Sequence, residues 1–534
     1  MGITEEEFKQ VFDYNVYRAF KPIGRKYINN NELYYTTPNN EARAVLIDKI
    51  LEKKQSKNFN TYTNDDALKA VDIVNNKLEK NYGWNLSKGQ AEALTSILSN
   101  SEKFIAVEGI AGSGKTTMLE HAQMLLNIKN VKVVGMAFTG KAADAMKTEA
   151  NIEASTIHRF LNQLDSNKST KAGLKNSWDF SDVKPAKKPE IWFVDESSML
   201  TDNLLSHVLK AAEKRQSKII FLGDSHQLLP IGAGNGFARM IEKNQVPVIH
   251  MKEITRQENG SELKKAVEVL SGKFPQEKKE SLIEPLKNNI SELPLRKSRI
   301  NKIVKDYCSY SLEEQKKTVV LVAQNNDRNE INQKIRKRLI FNKFIEDGKA
   351  FDVINNYGKL QKKNFSVGDK ILFTKNDWNV CDNVGNYIGV KNGQLGEITL
   401  IKDQIICVKT HAGSTIDINM NTYKNIDYAY AMTSYKAQGI TVDNALISYD
   451  TAQTQSNTRN KFYVDVSRAR KNIHIYVDDT AKFEKQIKKF QKKLLMDDFK
   501  TKKNNTTLTK EGNISHESTK QNKSHQKDTH QKTR

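Results

Sequence analysis

The run "GIAGSGKTT", Gly109 to Thr117, sets one lysine and two threonines among closely spaced glycines. Its spacing is G-x-x-x-x-G-K-[ST], with Gly109, Gly114, Lys115 and Thr116 in place. Glycines at 109, 112 and 114 let the backbone bend until successive N–H groups point inward at phosphate oxygens. A helix opening at Lys115 would aim its positive end at the same point. Lys115 can then reach the β- and γ-phosphates of a nucleotide. The Thr116 hydroxyl can ligate Mg²⁺, with Thr117 beside it.

Two further stretches carry chemistry that a phosphate loop needs. "EIWFVDESSML" puts Asp195 and Glu196 at the end of an apolar run, 80 residues after Lys115. A carboxylate at Asp195 suits the coordination shell of Mg²⁺, and Glu196 suits activation of an attacking water. The carboxyl end of a strand is where open parallel sheets bind ligands. "FLGDSHQLLPIGAG" also ends an apolar run in polar groups, and the Gln227 amide suits a contact with the γ-phosphate or the water. His226 alone suggests no role.

These groups need elements to position them. "KFIAVE", "VKVVGMA", "EIWFVD" and "KIIFLG" are apolar runs separated by helical segments such as "KTTMLEHAQMLL". That alternation predicts an α/β fold, with a parallel sheet covered by helices. "KTVVLVA", the helix "NDRNEINQKIRKRLI", "NALIS" and "NIHIYV" predict a second sheet domain of the same kind. Between its halves, "GDKILF", "GVKNGQLGEI" and "QIICVKT" read as short strands with glycine turns, a small all-β insertion. The expected domains are an accessory, largely helical region at 1–85 and a first motor-type domain at 86–250. A second follows at 251–364 and 422–480, with the β insertion at 365–421. A basic helix and disordered tail are expected at 481–534.

The chain has 534 residues and a formal net charge of +22. Residues 481–534 contribute +9 of this and residues 1–480 the remaining +13. Such an excess in the folded part favours a polyanionic partner, most simply nucleic acid. Cys308, Cys381 and Cys407 are far apart, which argues against a zinc site or a disulfide framework. No run of about 18 apolar residues suggests a membrane span, and no signal peptide opens the chain. A soluble, cytoplasmic protein is expected.

The order of segments resembles a superfamily 1 helicase of the RecD-like branch, most nearly the helicase region of TraI-type conjugative relaxase-helicases. The resemblance covers about residues 35–480 and implies two RecA-like motor domains with an SH3-like insertion. "LSKGQAEAL" resembles the adenine-reading segment, with Gln90 as reader. "GMAFTGKAADAM" and "ASTIHRFL" resemble DNA-contacting segments, which implies roles for Thr139, Thr156 and His158. "EITRQ" and "FYVDVSRAR" resemble segments that supply phosphate-sensing arginines, here Arg256 and Arg468, both expected from the second domain. "YAMTSYKAQGIT" resembles a further DNA-contacting segment, with Lys436 and Thr441.

The resemblance implies ATP and Mg²⁺ at the phosphate loop and 5′→3′ movement on single-stranded DNA. It also implies action on duplex forks and partnership with a separate relaxase or conjugation machinery. Related helicases carry a pin hairpin in the interval corresponding to 165–189. Trp178 and Phe180 are its only aromatics here, so both are candidates for strand separation. Tyr435 stands where the family more often has histidine, and Asp465 where a small apolar residue is usual; the latter raises the prospect of weakened coupling. The nicking domain of full-length members is not expected, since the first histidine is His121. Two other readings are a stand-alone RecD-like repair helicase and a non-catalytic remnant that binds single-stranded DNA.

Overall fold

The apolar runs form two separate parallel sheets in the computed structural model. It describes residues 25–29, 32–36, 38–53, 61–166, 178–272, 281–355, 358–382, 389–411 and 413–493. The first sheet holds Phe104–Gly109 (β1), Lys132–Ala137 (β2), Ala154–Thr156 (β3), Glu190–Asp195 (β4), Lys218–Gly223 (β5) and Val248–Met251 (β6). Their order is β3-β2-β4-β5-β1-β6, all parallel. Residues such as Ile105, Val107, Phe193 and Ile220 are fully buried. Both faces are covered, which is why the runs are apolar throughout rather than alternating.

Helices close the two faces. On one side Lys115–Ile128 (α1) packs with the helices Asn64–Tyr82 and Lys88–Ser99. The helix Asn64–Tyr82 is capped by the Thr63 side chain and stopped by Gly83 at φ 72°, a left-handed residue that glycine adopts readily. On the other side Ile47, Ile50 and Leu51 of the helix Pro38–Leu51 meet Leu205, Val208 and Leu209 of Asp202–Arg215. Asp48 holds Arg239 at 2.5 Å and Gln245 at 2.8 Å. Among the described residues, both helices that precede residue 86 therefore complete the cores of the first sheet.

The second sheet is shorter. Ile290–Glu292 (β7), Thr318–Val322 (β8), Ala431–Thr433 (β9), Val442–Ser448 (β10) and Ala469–Val477 (β11) run parallel in the order β9-β8-β10-β11-β7. Between β8 and β9 the antiparallel strands begin at Lys349. A hairpin, Lys349–Ile354 with Leu360–Phe365, precedes a six-stranded antiparallel sheet between Lys370 and Tyr428. Loops of this insertion reach back to the first domain. Lys391 ion-pairs with Asp144, and the Arg159 guanidinium lies 5.0 Å from the Trp378 ring centre.

The end of the described chain also crosses between domains. After the helix Thr480–Ile487, the Gln491 N–H donates to Asn460 at 2.7 Å and Lys492 pairs with Glu242 at 2.9 Å. The expected disorder of the basic tail concerns residues almost wholly outside the described ones. Among the described residues no helix is long and apolar enough to cross a membrane.

Trp178 and Phe180 overturn one expectation. Residues 167–177 of the interval suggested for a pin lie outside the described residues. The two aromatics themselves lie in the core of the first domain, 8% and 5% exposed, among Leu161, Trp192 and Leu204. The Trp178 indole N–H donates to Asn162 at 2.6 Å, and its ring meets His207 edge-on at 4.9 Å. Rings held this way are not presented to a base pair, so neither is a strand-separating residue. Truncating a buried tryptophan typically costs about 3–5 kcal/mol. Trp178→Ala should therefore lower the melting temperature and ATP hydrolysis together. A variant with unchanged melting temperature and lost unwinding would restore the pin role.

Candidate functional site

Five strands of the first sheet end at one edge, and each end carries a candidate residue. β1 runs into the phosphate loop, β4 into Asp195 and Glu196, and β5 into Asp224 and Gln227. β2 leads to Thr139 and β3 ends at Thr156. The strand order thus places phosphate chemistry on β4, β5 and β1, and the DNA-type residues on β2 and β3 beside them. Ligand sites at the carboxyl edge of a parallel sheet follow from this arrangement.

The phosphate loop is built to be small. Gly112 and Gly114 take φ 82° and 73°, and a Cβ on Gly114 would stand 2.3 Å from Nε2 of Gln90. Lys115 turns its ammonium back onto the carbonyls of Gly109 and Ile110, at 2.6 and 3.3 Å. Thr116 and Thr117 are half-buried in the first turn of α1. The Ser113 hydroxyl is buried without a partner among the described residues. Gln90 is committed locally: its Oε1 accepts from the Ser87 N–H at 2.8 Å and its Nε2 donates to the Gly114 carbonyl at 3.0 Å. It completes a capping box with Ser87 and braces the loop.

Asp195 and Glu196 stand where β4 leaves the sheet. Glu196 has φ 55°, a left-handed conformation that costs a non-glycine residue about 1–3 kcal/mol and collects at functional sites. Its N–H donates to Asp195 Oδ1 at 2.8 Å. Burial pushes both carboxyls above the usual range. The Asp195 charge raises Glu196 further, while Lys115 opposes the shift in both.

The end of β5 is tied to the second domain. Its partner is the helix Arg459–Val466 (here α4, following α2 at Gly140–Thr148 and α3 at Ile157–Leu164). The Tyr463 hydroxyl of α4 donates to Asp224 Oδ2 at 2.7 Å and accepts the Ala111 N–H of the phosphate loop at 2.7 Å. Asn460, one turn earlier, donates to the carbonyls of His226 and Gln227 at 3.2 and 3.1 Å. Gln227 donates to Asp224 at 3.1 Å and accepts from Gln438 of the second domain at 3.4 Å. Burial works against charge on Asp224, but bonds from His226 and Tyr463 and the Lys115 charge outweigh it and hold its carboxyl below the usual range.

Both predicted arginines reach this cleft, though not both from the second domain. Arg256 follows β6, and its N–H donates to the phosphate-loop carbonyl of Gly112 at 3.2 Å. It is therefore seated on the first domain's loop, and the chain enters the second domain after it. Its guanidinium donates across the cleft to the Ser467 carbonyl at 3.0 Å. Arg468 does come from the second domain, donating to the carbonyls of Val464 and Ile440 at 2.9 and 3.2 Å. Burial pushes Arg256 down to about 10, helped by the charges of Arg468 and Arg470. Burial likewise pushes Lys141 down to about 7, with Arg468 adding to the shift. Cations packed this closely call for an anion of several charges. The orphaned Ser113 hydroxyl and the cramped glycines fit the phosphates of a nucleotide.

The DNA-type residues are positioned less directly. The hydroxyls of Thr139 and Thr156 cap α2 and α3, accepting from Ala142 and Arg159 at 3.2 and 3.4 Å. His158 lies beside Trp178, and burial holds its imidazole below the usual range. Lys436 and Thr441 are half-buried in the turn after β9, and Tyr435 is exposed. The bridging roles of Asn460, Tyr463 and Gln438 were not anticipated. Tyr463 and Gln438 fall inside the quoted segments, so the signal was a polar group in each, without a partner to assign.

Residues 85–284 match the AAA domain family, and residues 356–477 match the viral superfamily 1 RNA helicase core domain. The conjugal transfer protein TraA of Agrobacterium fabrum is 26% identical over 400 residues, covering 73% of this chain and 32% of TraA. The multifunctional conjugation protein TraI of Escherichia coli K12 is 33% identical over 188 residues, covering 34% of this chain and 10% of TraI. The RecBCD enzyme subunit RecD of Buchnera aphidicola is 24% identical over 508 residues, covering 82% of this chain and 78% of RecD. The chain spans about a third of the length of the TraA proteins it matches. The two matched stretches, in the chain order that the motifs follow, make this chain similar to a superfamily 1 helicase motor, with TraA and RecD among its relatives.

Proposed function

We propose that this chain hydrolyses ATP to move 5′→3′ along single-stranded DNA and to open duplex forks. The observation that carries the reading is one edge of the first sheet that holds the phosphate loop with Lys115, the Asp195–Glu196 strand end and Arg256 seated on the loop, with Arg256 bonded across the cleft to the Ser467 carbonyl beside Arg468. Lys115 leaves the carbonyls of Gly109 and Ile110 to hold the β- and γ-phosphates. Thr116 and Asp195 hold Mg²⁺, which when bound neutralises phosphate charge. Glu196 takes a proton from the attacking water and Gln227 orients that water. Arg468 stabilises charge on the transferred group only when the second domain is closed, as arginine fingers do.

Closure and opening then displace the second domain's DNA residues, Lys436 and Thr441, relative to Thr139, Thr156 and His158. Alternating grip on the two sides moves a strand. The relatives named for conjugal transfer support a role in that process. A separate relaxase as partner and the cytoplasm as place of work are further parts of the proposal.

Two measurements check this reading. Lys115→Ala should abolish ATP hydrolysis while DNA binding survives, and Glu196→Gln should bind ATP without turning it over. Near wild-type hydrolysis by either would show that the site is misassigned. Strand displacement should require ATP and a 5′ single-stranded tail on the duplex. Equal or better displacement from a 3′ tail would reverse the proposed direction.

A further inference from the structure

The helix α4 has two working sides. Asn460 and Tyr463, three residues apart, face the first domain and hold the His226–Gln227 carbonyls, Ala111 and Asp224. Lys461 and Asp465, four apart, lie on the opposite side of the helix, as a period of 3.6 residues requires. That side meets the DNA-type turn of the second domain. Asp465 Oδ2 accepts the Ser434 hydroxyl at 2.9 Å, the Tyr449 hydroxyl at 2.6 Å and the Lys461 ammonium at 3.0 Å. Lys461 also sits 4.1 Å from the centre of the Tyr449 ring. Asp465 is wholly buried, and its Oδ1 has no partner among the described residues.

Ser434 opens the turn that carries Lys436 and Thr441. Two of the other bonds on that turn reach residues assigned to the nucleotide site. Gln438 donates to Gln227, and the Ile440 carbonyl accepts from Arg468. Both of those ties end on residues that, in the reading above, act on the nucleotide or the attacking water. The Asp465–Ser434 tie does not. It lies within the second domain and ends on no nucleotide residue. It is also charge-assisted, which makes it stronger than a bond between neutral groups.

We propose that Asp465 is a positioning residue that fixes the DNA-contacting turn to α4, so that the turn follows the helix when nucleotide moves it. This rests on the helicase reading. On this account the carboxylate at 465 strengthens the link between hydrolysis and DNA rather than weakening it. Lys461 balances the buried charge, and Tyr449 fixes the carboxylate's orientation.

The test compares three proteins, wild type, Ser434→Ala and the double variant Lys461→Met/Asp465→Ala. The double change removes both buried charges at once, which avoids leaving one unpaired. ATP hydrolysis is measured with and without single-stranded DNA, alongside the melting temperature. Both variants should keep basal hydrolysis within about two-fold of wild type. Both should lose at least roughly three-fold in the ratio of DNA-stimulated to basal rate, the size expected for a residue in a coupling network. A merely structural role would lower melting temperature and basal rate instead, and that result overturns the proposal. A stimulated wild type beside an equally stimulated Ser434→Ala overturns the proposal alone. A wild type whose rate DNA does not change overturns the helicase reading, and this proposal falls with it.

Discussion

Two guanidinium groups that share one cleft and rest on backbone carbonyls are the constraint on which the cleft depends. Arg468 is buried and Arg256 half-buried, and the charge of Arg468 works against that of Arg256. Burying one such charge costs several kcal/mol unless it is paired. The nearby carboxylates answer only part of this, because Asp195 and Glu196 are themselves held toward their neutral forms. The balance is made by backbone carbonyls, at Ser467 for Arg256 and at Val464 and Ile440 for Arg468. Lys115 does the same with Gly109 and Ile110.

Carbonyls are neutral acceptors, and bonds between charged partners are about twice as strong. A polyphosphate entering the cleft therefore competes successfully for all three cations. Each that leaves its carbonyl frees a backbone group with a definite place in the fold. For Arg468 one such group, the Ile440 carbonyl, belongs to the turn that carries Lys436 and Thr441, so an exchange at the phosphate site is felt at the turn proposed to touch DNA. Only Arg468 travels with the second domain, because Arg256 is bonded to the phosphate loop itself. One arginine thus completes the site from within, while the other reports whether the cleft is shut.

The sequence made the phosphate site legible because its demands are local. A loop that must wrap a phosphate needs glycine at fixed intervals, and an acid that must meet it needs the end of a buried strand. The two sheets were legible for the same kind of reason, as apolar runs separated by helical segments. Contacts across the cleft were not, since Asn460, Tyr463 and Gln438 find partners more than 200 residues away in the chain. Trp178 misled because its neighbours are polar, and nothing in a one-dimensional reading offers Asn162 and His207 as its surroundings. Gln90 carried a signal that went unused. Ser87-x-x-Gln90 is the pattern of a capping box, and that is the bond its side chain makes.

Among the described residues, the contacts between the two sheet domains differ in kind. At the insertion, Lys391 meets Asp144 and Arg159 meets Trp378 near the surface. Near the end of the described chain, Lys492 meets Glu242 with half of the lysine side chain in solvent. Exposed pairs of this sort contribute about 0–1 kcal/mol each and are weakened by salt. At α4 the contacts are buried, and breaking one leaves a donor or acceptor without a partner, at about 1–3 kcal/mol. The free energy that resists opening is therefore concentrated where Tyr463 and Asn460 meet the phosphate loop and the end of β5. That is also where a nucleotide acts, so binding and release can govern the cleft without having to overcome the peripheral ties.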